Sequence, residues 1–557
     1  MRRLHLRWLP SPDHSPPQGP GDLVLVFARS AAPAQSTADV VFADDLLDWG
    51  ARSQTERRVQ GIVDELRARV ADADLVEASE YELRIDAVNL LLAHAVGEIL
   101  RDRGPFDDVA PSTGTPAAIV AGVCSALGIA VPPRTAGPGR VRQAPAGARA
   151  RAAKLIVGAR AATTSRRSIR VLTFPGLKLG EALGELDSGQ FAAAGIAVAA
   201  LEEIGYGEAA KLILRHRLAA LALPTRPVRA VTALQTPVSA LTGDPTLDRE
   251  LAHMAEAALA NGALRVSELS AVLPTLERLP NLRAIVLPTA ALSVMRLLRS
   301  WAAQHGIRVA SFQHGVYGMI EGDGGDRRAD VLFGWGPAVA AQVEMWAPPR
   351  PRLELVGVPG LARAPHRTRS PTLRRVLVAT TSPGLGIALA PWSMREDFMD
   401  ALSDGLVRLR GAGVAIELRL HPHESPAEYA NMDARAGRDP LPFAPAGSFA
   451  EVVTRCDLLV APFSSVAFEA AALGIPVAMW MPQVPAEIRA EHFVPPLRDE
   501  LPGTFADAAG FDQLIARVLE DPASGLEGPM SLSSSLDAYV APLDTQRFAA
   551  ALVELAA

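Results

Sequence analysis

The chain has 557 residues, of which 49% are hydrophobic and 21% are charged, a balance typical of a globular protein with two or three domains. Its 55 basic and 61 acidic residues give a formal net charge of -6 at pH 7, which argues against nucleic acid as a partner. Two cysteines are too few for a disulfide framework or a zinc site, so we expect a reduced, cytoplasmic compartment. The sequence has no run of about 18 apolar residues, so no membrane-spanning helix is predicted.

The first half of the chain alternates short apolar runs with amphipathic stretches. Residues 23–28 and 40–43 have the composition of buried strands, and the apolar spacing predicts helices within residues 55–103. A stretch rich in Pro, Gly and Arg at residues 132–151 indicates a flexible connection. Two further strands are predicted at residues 169–173 and 228–234.

From residue 280 onward the alternation of strand and helix becomes regular. Strands at residues 284–288 and 308–312 flank a helix at residues 292–305, a spacing that predicts parallel pairing through right-handed crossovers. A polar, Pro-containing linker at residues 362–372 divides the sequence, and the alternation resumes after it. We therefore predict an α/β protein with two doubly wound, Rossmann-like domains that face a central cleft. The predicted domains are residues 1–361, with extra helices, and residues 373–557.

The segment at residues 457–477 carries the strongest local signal for a ligand. An apolar strand is followed by Ser464 and Ser465, which begin a helix of small residues, and a Gly-Ile-Pro turn leads into another strand. The N–H groups at a helix start, the helix dipole and two hydroxyls together can form a phosphate site. Glu469 lies about one turn further, where a carboxylate can reach a ribose hydroxyl. The alternative is a structural helix that a serine caps, with Glu469 in solvent.

A second signal is the sequence Arg419-Leu420-His421-Pro422-His423-Glu424, which follows an apolar strand. Pro422 stops the strand and fixes the backbone beyond it, so His421 is held at the carboxyl end of the strand. There an imidazole can donate to a phosphate or to a base carbonyl, although a structural histidine at a strand end is an equally good interpretation. One His-x-His pair without a third ligand is weak evidence for a metal, and we predict none.

Together, the His-Pro turn and the Ser-Ser helix with its Glu-Ala and Gly-x-Pro-Val elements resemble the bacterial surface-polysaccharide glycosyltransferases with a GT-B fold. That group includes capsule polysaccharide biosynthesis proteins, polysialyltransferases, Kdo transferases and CDP-glycerol glycerophosphotransferases. The resemblance covers roughly residues 280–520, and Gln313-His314-Gly315 is similar to another motif of the group. It implies that the His-Pro histidine and the paired serines hold the phosphate and base of the donor nucleotide. The predicted donor-nucleotide-binding residues are His421, Pro422, Ser464, Ser465, Glu469 and Arg419.

The paired acidic residues that some members of the group carry before a glycine have only a loose counterpart here, at residues 321–326. An inverting transfer needs a carboxylate or a histidine to accept the proton of the acceptor hydroxyl. Glu321, Asp323 and His314 lie on a glycine-rich loop after a strand, so they are the predicted catalytic residues. The alternative for the acidic residues is a solvated turn.

These observations predict a metal-independent glycosyltransferase that transfers a sugar from a nucleotide donor, CMP- or CDP-linked in preference to UDP-linked, to a surface glycan or glycolipid. The C-terminal domain is expected to bind the donor and the N-terminal domain the acceptor, with no cofactor besides the nucleotide sugar. Such an enzyme fits the cytoplasm, including the inner face of the membrane. Two alternatives remain, namely a nucleotide-sugar 2-epimerase-like enzyme with the same architecture and a non-catalytic glycan-assembly protein.

Overall fold

The computed structural model describes residues 2–8, 22–27, 39–70, 73–112, 115–131, 148–200, 206–221, 223, 242–289, 293–320, 326–361, 372–381, 388–422 and 424–557. These residues form three β-sheets, of four, seven and five strands. Every pairing between named strands is parallel, which confirms the predicted α/β class. The predicted strand at 228–234, and all of the predicted linker except Thr372, lie outside the described residues.

The first sheet and its helices form what we call the N-terminal unit. The four strands are β1 (Arg3–Arg7), β2 (Leu23–Val26), β3 (Asp39–Phe42) and β4 (Asp108–Pro111). They pair in the order β3-β2-β1-β4, and Leu4 and Leu25 are fully buried in the core beneath them. The helices of this part of the chain are α1 (Trp49–Arg69), α2 (Ala73–Arg101) and α3 (Ala117–Leu127). Helices α2 and α3 pack so closely that a Cβ atom at Gly122 would collide with the Leu90 carbonyl oxygen.

The second sheet is the centre of what we call the middle unit. Its strands are β5 (Val171–Thr173), β6 (Ile196–Ala199), β7 (Ala219–Leu221), β8 (Ala284–Leu287), β9 (Arg308–Phe312), β10 (Val331–Gly334) and β11 (Arg352–Leu355). The order β11-β10-β9-β8-β5-β6-β7 extends in two directions from the β5–β8 pair, as in a doubly wound fold. The helices in this range are α4 (Ala148–Thr163), α5 (Leu177–Glu185), α6 (Ser188–Ala194), α7 (Tyr206–His216), α8 (Pro245–Leu276), α9 (Ser293–Gln304) and α10 (Val339–Met345).

Helix α8 packs on the N-terminal unit, although it follows the middle unit's first strands in the chain. It begins at Pro245, after Asp244 accepts hydrogen bonds from two backbone N–H groups of its first turn. Leu251 and Leu259 of α8 are buried in the core of the N-terminal unit. The sequence predicted one Rossmann-like domain with extra helices over residues 1–361, whereas the described part of this range contains two separate sheets. Apolar periodicity locates strands but does not tell which sheet each strand joins.

The third sheet is the centre of what we call the C-terminal unit, and four of its five strands lie where the sequence predicted strands, at residues 375–380, 416–420, 458–461 and 476–480. The five strands are β12 (Arg375–Ala379), β13 (Ala415–Arg419), β14 (Leu458–Pro462), β15 (Val477–Trp480) and β16 (Thr504–Phe505), in the order β13-β12-β14-β15-β16. The remaining helices are α11 (Met394–Gly411), α12 (Pro426–Arg435), α13 (Phe449–Val453), α14 (Ser465–Ala472), α15 (Ala486–His492), α16 (Ala508–Glu520), α17 (Pro522–Gly525), α18 (Glu527–Leu536) and α19 (Thr545–Ala556). None of the helices in the described ranges has the length and apolar character needed to cross a bilayer.

Helix α19 leaves the C-terminal unit and packs against the middle sheet. Its Phe548 is fully buried, with ring centroids 5.7 Å from Phe312 and 5.2 Å from Phe333. Just before α19, the Val358 N–H donates to the Ala541 carbonyl oxygen at 2.7 Å and the Ala541 N–H donates to the Trp335 carbonyl oxygen at 2.9 Å, so this segment joins the chain just beyond the ends of β10 and β11. The middle and C-terminal units consequently share one continuous apolar core.

The loop after β9 joins the middle unit to the C-terminal unit through backbone hydrogen bonds. The Val494 N–H donates to the Gly318 carbonyl oxygen at 3.0 Å, and the Ile320 N–H donates to the His492 carbonyl oxygen at 2.9 Å. Because this loop follows the carboxyl end of β9, the carboxyl edge of the middle sheet faces the C-terminal unit. This is the edge at which ligands bind in doubly wound sheets.

Candidate functional site

The turn after β9 has a shape that the Gln313 side chain fixes. Gln313 is fully buried. Its Oε1 accepts a hydrogen bond from the Trp335 N–H at 2.9 Å, and its Nε2 donates to the Gly315 carbonyl oxygen at 3.0 Å. An amide bonded on both sides holds the turn to β10, so His314 occupies a defined place at the end of β9.

His314 directs one ring nitrogen towards a buried carboxylate. Its Nδ1 lies 3.9 Å from Asp326 Oδ2, is shielded from solvent, and has no hydrogen-bond partner among the described residues. Asp326 is fully buried and accepts hydrogen bonds from the hydroxyls of Ser311 at 2.5 Å, Tyr317 at 3.1 Å and Thr289 at 3.3 Å. At 3.9 Å the two atoms are too far apart for a hydrogen bond, and they form an ion pair only when the imidazole is protonated.

The other two predicted catalytic residues, Glu321 and Asp323, lie outside the described residues and stay predictions. Asp326 ends the same acidic stretch, and its burial contradicts the solvated-turn interpretation at that position. The sequence placed Asp326 in the stretch but gave it no role. The acidic and glycine residues around it suggested a loop, and only the three-dimensional contacts show that this carboxylate turns inward.

The structure brings the His314 turn against the serine pair that begins α14. The Val316 N–H donates to Ser465 Oγ at 3.1 Å, which joins two predicted site segments from different units. A Cβ atom at Gly315 would lie 3.2 Å from the same hydroxyl, so a glycine permits the close approach of the two segments. The turn that carries His314 and the serine pair therefore lie side by side at the facing edges of the two sheets.

Ser464 stands immediately before α14 and does not act as its cap. Its backbone is extended, with φ -159° and ψ 152°, and its side chain makes no capping hydrogen bond to the helix. The structural interpretation of this segment, a helix that a serine side chain caps, therefore does not account for Ser464. A half-buried hydroxyl next to a helix start is positioned to meet an anion.

Glu469 forms an ion pair with Lys178, which lies on α5 of the middle unit. The Lys178 Nζ atom is 3.1 Å from Glu469 Oε1 and 3.2 Å from Oε2, and only 5% of Glu469 is exposed. Burial raises the pKa of the Glu469 carboxyl, against the opposing charge of Lys178. The interpretation of Glu469 as a solvated carboxylate is therefore wrong. Sequence reasoning missed Lys178 as its partner, because nothing local connects these two positions.

The His421 turn is organised by Glu424. The His421 backbone N–H donates to Glu424 Oε2 at 2.9 Å and to Thr380 Oγ1 at 2.9 Å, and the Tyr429 hydroxyl donates to Glu424 Oε1 at 2.8 Å. The carboxylate of Glu424 is thus occupied in holding the turn. Pro422 lies exposed at its tip.

Arg419 contacts backbone carbonyl groups in the described structure. Its guanidinium donates to the carbonyl oxygens of Gly447 at 2.8 Å and Pro445 at 3.4 Å, in the loop before α13. Strand β12 lies between β13 and β14, so the strand ends that carry His421 and Ser464 are about 10 Å apart. Their predicted convergence on one phosphate, and the donor-binding roles of Arg419 and Pro422, stay predictions.

A cavity of about 350 Å³ lies beside His314, between its turn and the carboxyl ends of β12, β14 and β15. Thr381, Phe463 and Trp480 contribute to its wall from the ends of these strands. In the described ranges, no cluster of three or more His, Cys, Asp or Glu side chains is arranged to hold a metal ion.

Comparisons with known proteins find solved structures that are similar in fold, but they do not assign the sequence to a family. No family model and no curated protein matches the chain. MurG from Acinetobacter baumannii is 13% identical, covering 69% of this chain and 99% of that one, with a TM-score of 0.40. The UDP-GlcNAc 2-epimerase from Neisseria meningitidis bound to UDP-GlcNAc is 10% identical, covering 70% of this chain and 99% of that one, with a TM-score of 0.41. The wall teichoic acid polymerase TagF is also 10% identical, covering 72% of this chain and 92% of that one, with a TM-score of 0.35. With all identities below 25% and all TM-scores below 0.5, any activity has to be argued from the site of this chain itself.

Proposed function

We propose that the protein is a glycosyltransferase that transfers a sugar from a nucleotide donor to a hydroxyl group of a glycan. The observation that carries this proposal is the contact between the His314 turn and the start of α14, through the 3.1 Å hydrogen bond from the Val316 N–H to Ser465 Oγ. It places a histidine backed by a carboxylate next to a helix start suited to phosphate. A base for the acceptor and a site for the departing phosphate are the two parts that such a transfer needs.

The start of α14 is the proposed site for the donor phosphates. Backbone N–H groups at a helix start and the positive end of the helix dipole favour an anion. The Ser464 hydroxyl, which makes no capping bond, adds a donor at the same place. His421, one strand beyond β12 in the sheet, is proposed to contact the rest of the nucleotide, whereas Glu469 is buried in its ion pair with Lys178. The resemblance of the His-Pro and Ser-Ser segments to their counterparts favours CMP- or CDP-linked donors.

His314 is the proposed base. With Asp326 facing Nδ1, the favoured tautomer carries its proton on Nδ1 and leaves Nε2 as the acceptor. Nε2 then takes the proton of the acceptor hydroxyl while that oxygen bonds to the anomeric carbon. The bond from this carbon to the donor phosphate breaks, and its electron pair leaves with the nucleotide. Asp326 stabilises the imidazolium that forms, since it is a buried carboxylate 3.9 Å away.

The donor site is tested by titrating the purified protein with CMP, CDP and UDP in a calorimeter. Wild type is expected to bind at least one of them, and Ser464→Ala to weaken that affinity about tenfold or more, since a lost hydrogen bond to a charged group costs about 1.5–3 kcal/mol. Ser403→Ala is the matched control, because that serine is exposed on α11 and donates to its own helix. Ser465→Ala is measured separately, because it also removes the contact with Val316.

Two results would contradict the proposal. If none of the three nucleotides binds, the start of α14 is not a donor site. If wild type converts a UDP-sugar into its C2 epimer without any acceptor, the protein is an epimerase and His314 serves another proton transfer.

A further inference from the structure

The cavity beside His314 has walls that are mainly apolar. Its side chains include Met319, Leu389, Met394, Phe463, Met481 and Phe493. His314, Thr381 and Arg489 are the polar side chains among those described at its wall. Such a surface offers few hydrogen-bond partners to the hydroxyls of a sugar or to a pyrophosphate, whereas hydrocarbon gains free energy by leaving water for it.

One wall of the cavity is held in place by the N-terminal unit. The segment at residues 388–394 supplies Leu389 and Met394, and contacts from α1 and its preceding turn fix this segment at both ends. The Ala388 N–H donates to Glu56 Oε2 at 2.8 Å, and Ser393 donates to Asp44 Oδ2 through its N–H at 2.7 Å and its hydroxyl at 2.8 Å. These three buried or half-buried hydrogen bonds hold an otherwise apolar wall in place, so the fold itself defines the shape of the cavity.

The same segment is anchored by a group of aromatic residues. Trp392 packs against Phe27, with ring centroids 4.9 Å apart, and its Nε1–H donates to Asn89 Oδ1 at 3.1 Å. Both partners belong to the N-terminal unit. This gives the first part of the chain, which matches no motif, a physical connection to the site.

The cavity adjoins the start of α14, because Phe463 in its wall directly precedes Ser464. Its walls come from the β12, β14 and β15 ends, whereas His421 follows β13 on the far side of β12. His314 lies at the wall of the cavity, and its turn contacts Ser465. A group in the cavity therefore lies beside the proposed base.

We propose that this cavity binds the hydrocarbon part of the acceptor, adjacent to the hydroxyl that His314 deprotonates. The acceptor class is then a glycoside whose sugar carries an alkyl or similar aglycone, and not a free polysaccharide end. This inference rests on the proposed function, since it takes His314 as the base. The N-terminal unit contributes to acceptor recognition by holding the wall at residues 388–394.

The test uses methyl, hexyl and octyl β-D-glucosides as probes, each below its micelle concentration, with the full chain. Affinity is expected to rise with chain length, by up to about fourfold for each added methylene group, until the cavity is filled. Met481→Glu and Val484→Glu place a carboxylate in the wall and should abolish this dependence on chain length. Met481→Leu should preserve it, and so should Val407→Glu, which changes an exposed residue of α11.

Nucleotide binding by the same variants distinguishes the two proposals. Retention of nucleotide affinity in Met481→Glu, together with loss of octyl glucoside binding, is the expected result. The inference is overturned if wild type shows no dependence on alkyl length although it binds a nucleotide, which leaves the donor site standing. It is also overturned if Met481→Glu or Val484→Glu loses nucleotide and glucoside affinity in parallel while remaining folded by circular dichroism, because the cavity then holds the nucleobase. If no nucleotide binds to wild type, the proposed function fails, whatever the glucosides do.

Discussion

Two histidine turns face the site, and a carboxylate organises each of them differently. Asp326 accepts hydrogen bonds from three hydroxyls, and its Oδ2 lies 3.9 Å from Nδ1 of the His314 ring. Glu424 also accepts hydrogen bonds from two hydroxyls, those of Thr380 and Tyr429. Its third donor is the backbone N–H of His421 and not the imidazole ring. One carboxylate therefore faces an imidazole ring, and the other holds the backbone of the turn.

This difference indicates that the two histidines have different roles. An imidazole whose Nδ1 faces a buried carboxylate leaves its other nitrogen, Nε2, as the acceptor, which suits a base. A turn that is fixed through its backbone presents a side chain at a set place, which suits the binding of a ligand. The predictions below separate these roles by whether a substitution changes turnover, stability or affinity.

The largest effect is expected for His314→Ala. Loss of a general base reduces turnover about 10²- to 10⁴-fold, while nucleotide affinity stays nearly unchanged. His421→Ala should show the opposite pattern, with nucleotide affinity weakened about tenfold or more and turnover at saturating donor changed far less. The measurements are transfer rates with the donor identified by calorimetry, and nucleotide titrations of both variants.

His253→Ala serves as the control for both histidine variants, because this histidine is half-exposed on α8 and far from either turn in the fold. If His314→Ala keeps a near-native transfer rate, the base lies elsewhere, and Glu321 and Asp323 become the next candidates. If both histidine variants lose only affinity, the contrast between the two turns is wrong.

The buried Glu469 is a third carboxylate, and it differs from Asp326 and Glu424 because a cation, Lys178, stabilises its charge. Lys178→Met leaves the Glu469 carboxylate buried without its cation, which should lower the free energy of unfolding by about 3–5 kcal/mol. Lys211→Met is the matched control, since that lysine pairs at the surface with Glu208 and should contribute less than about 1 kcal/mol. Urea denaturation of the three proteins measures the difference.

The pH dependence of Lys178→Met follows from the Glu469 carboxyl. Its pKa in the folded protein is already raised by burial, and removal of the cation raises it further. A raised carboxyl pKa gives stability that is present at low pH and is lost as the pH rises through the folded-state value. The deficit of Lys178→Met relative to wild type should therefore be smaller at pH 5 than at pH 8. The double variant Lys178→Met/Glu469→Leu should recover most of the loss, and a double variant as unstable as the single one would contradict this account.

The smallest effect is expected for Glu424→Gln. A glutamine oxygen can still accept one of the bonds that hold the His421 turn, so we expect the loss of about one hydrogen bond to a charged group, or about 1.5–3 kcal/mol. Nucleotide affinity should weaken about two- to tenfold with turnover at saturation preserved. Glu487→Gln, on the exposed face of α15, is the control. A drop in turnover without a change in affinity would mean that Glu424 acts on chemistry and not on the turn.

Local pattern was sufficient to predict much of the fold. Strand β9 ends at Phe312 as expected, and the predicted segments His314 and Ser465 meet across the two sheets. The reason is that apolar periodicity reports burial along a strand or helix, and the crossover rule then fixes which strand ends face the site. Glycine and serine positions further indicate where two segments of the chain come close together, as Gly315 and Ser465 do.

Contacts between distant parts of the chain could not be predicted in this way. The Lys178–Glu469 pair joins residues that share no element, and the carboxylate of Asp326 turns inward because hydroxyls from three separate segments meet it. In the N-terminal sheet only β2 and β3 were predicted as strands, and the separate sheet was not predicted. Its core includes α8, and no pattern within α8 shows which sheet this helix covers.

Helix α19 has a consequence for the order in which the chain can fold during synthesis. Phe312 and Phe333 of the middle sheet are covered by Phe548, which leaves the ribosome only after the whole C-terminal unit. Until then the growing chain keeps an uncovered aromatic surface, which is the kind of surface that chaperones bind and that promotes aggregation. Synthesis of the middle unit therefore begins early, and its core is completed only after the C-terminal unit has been made.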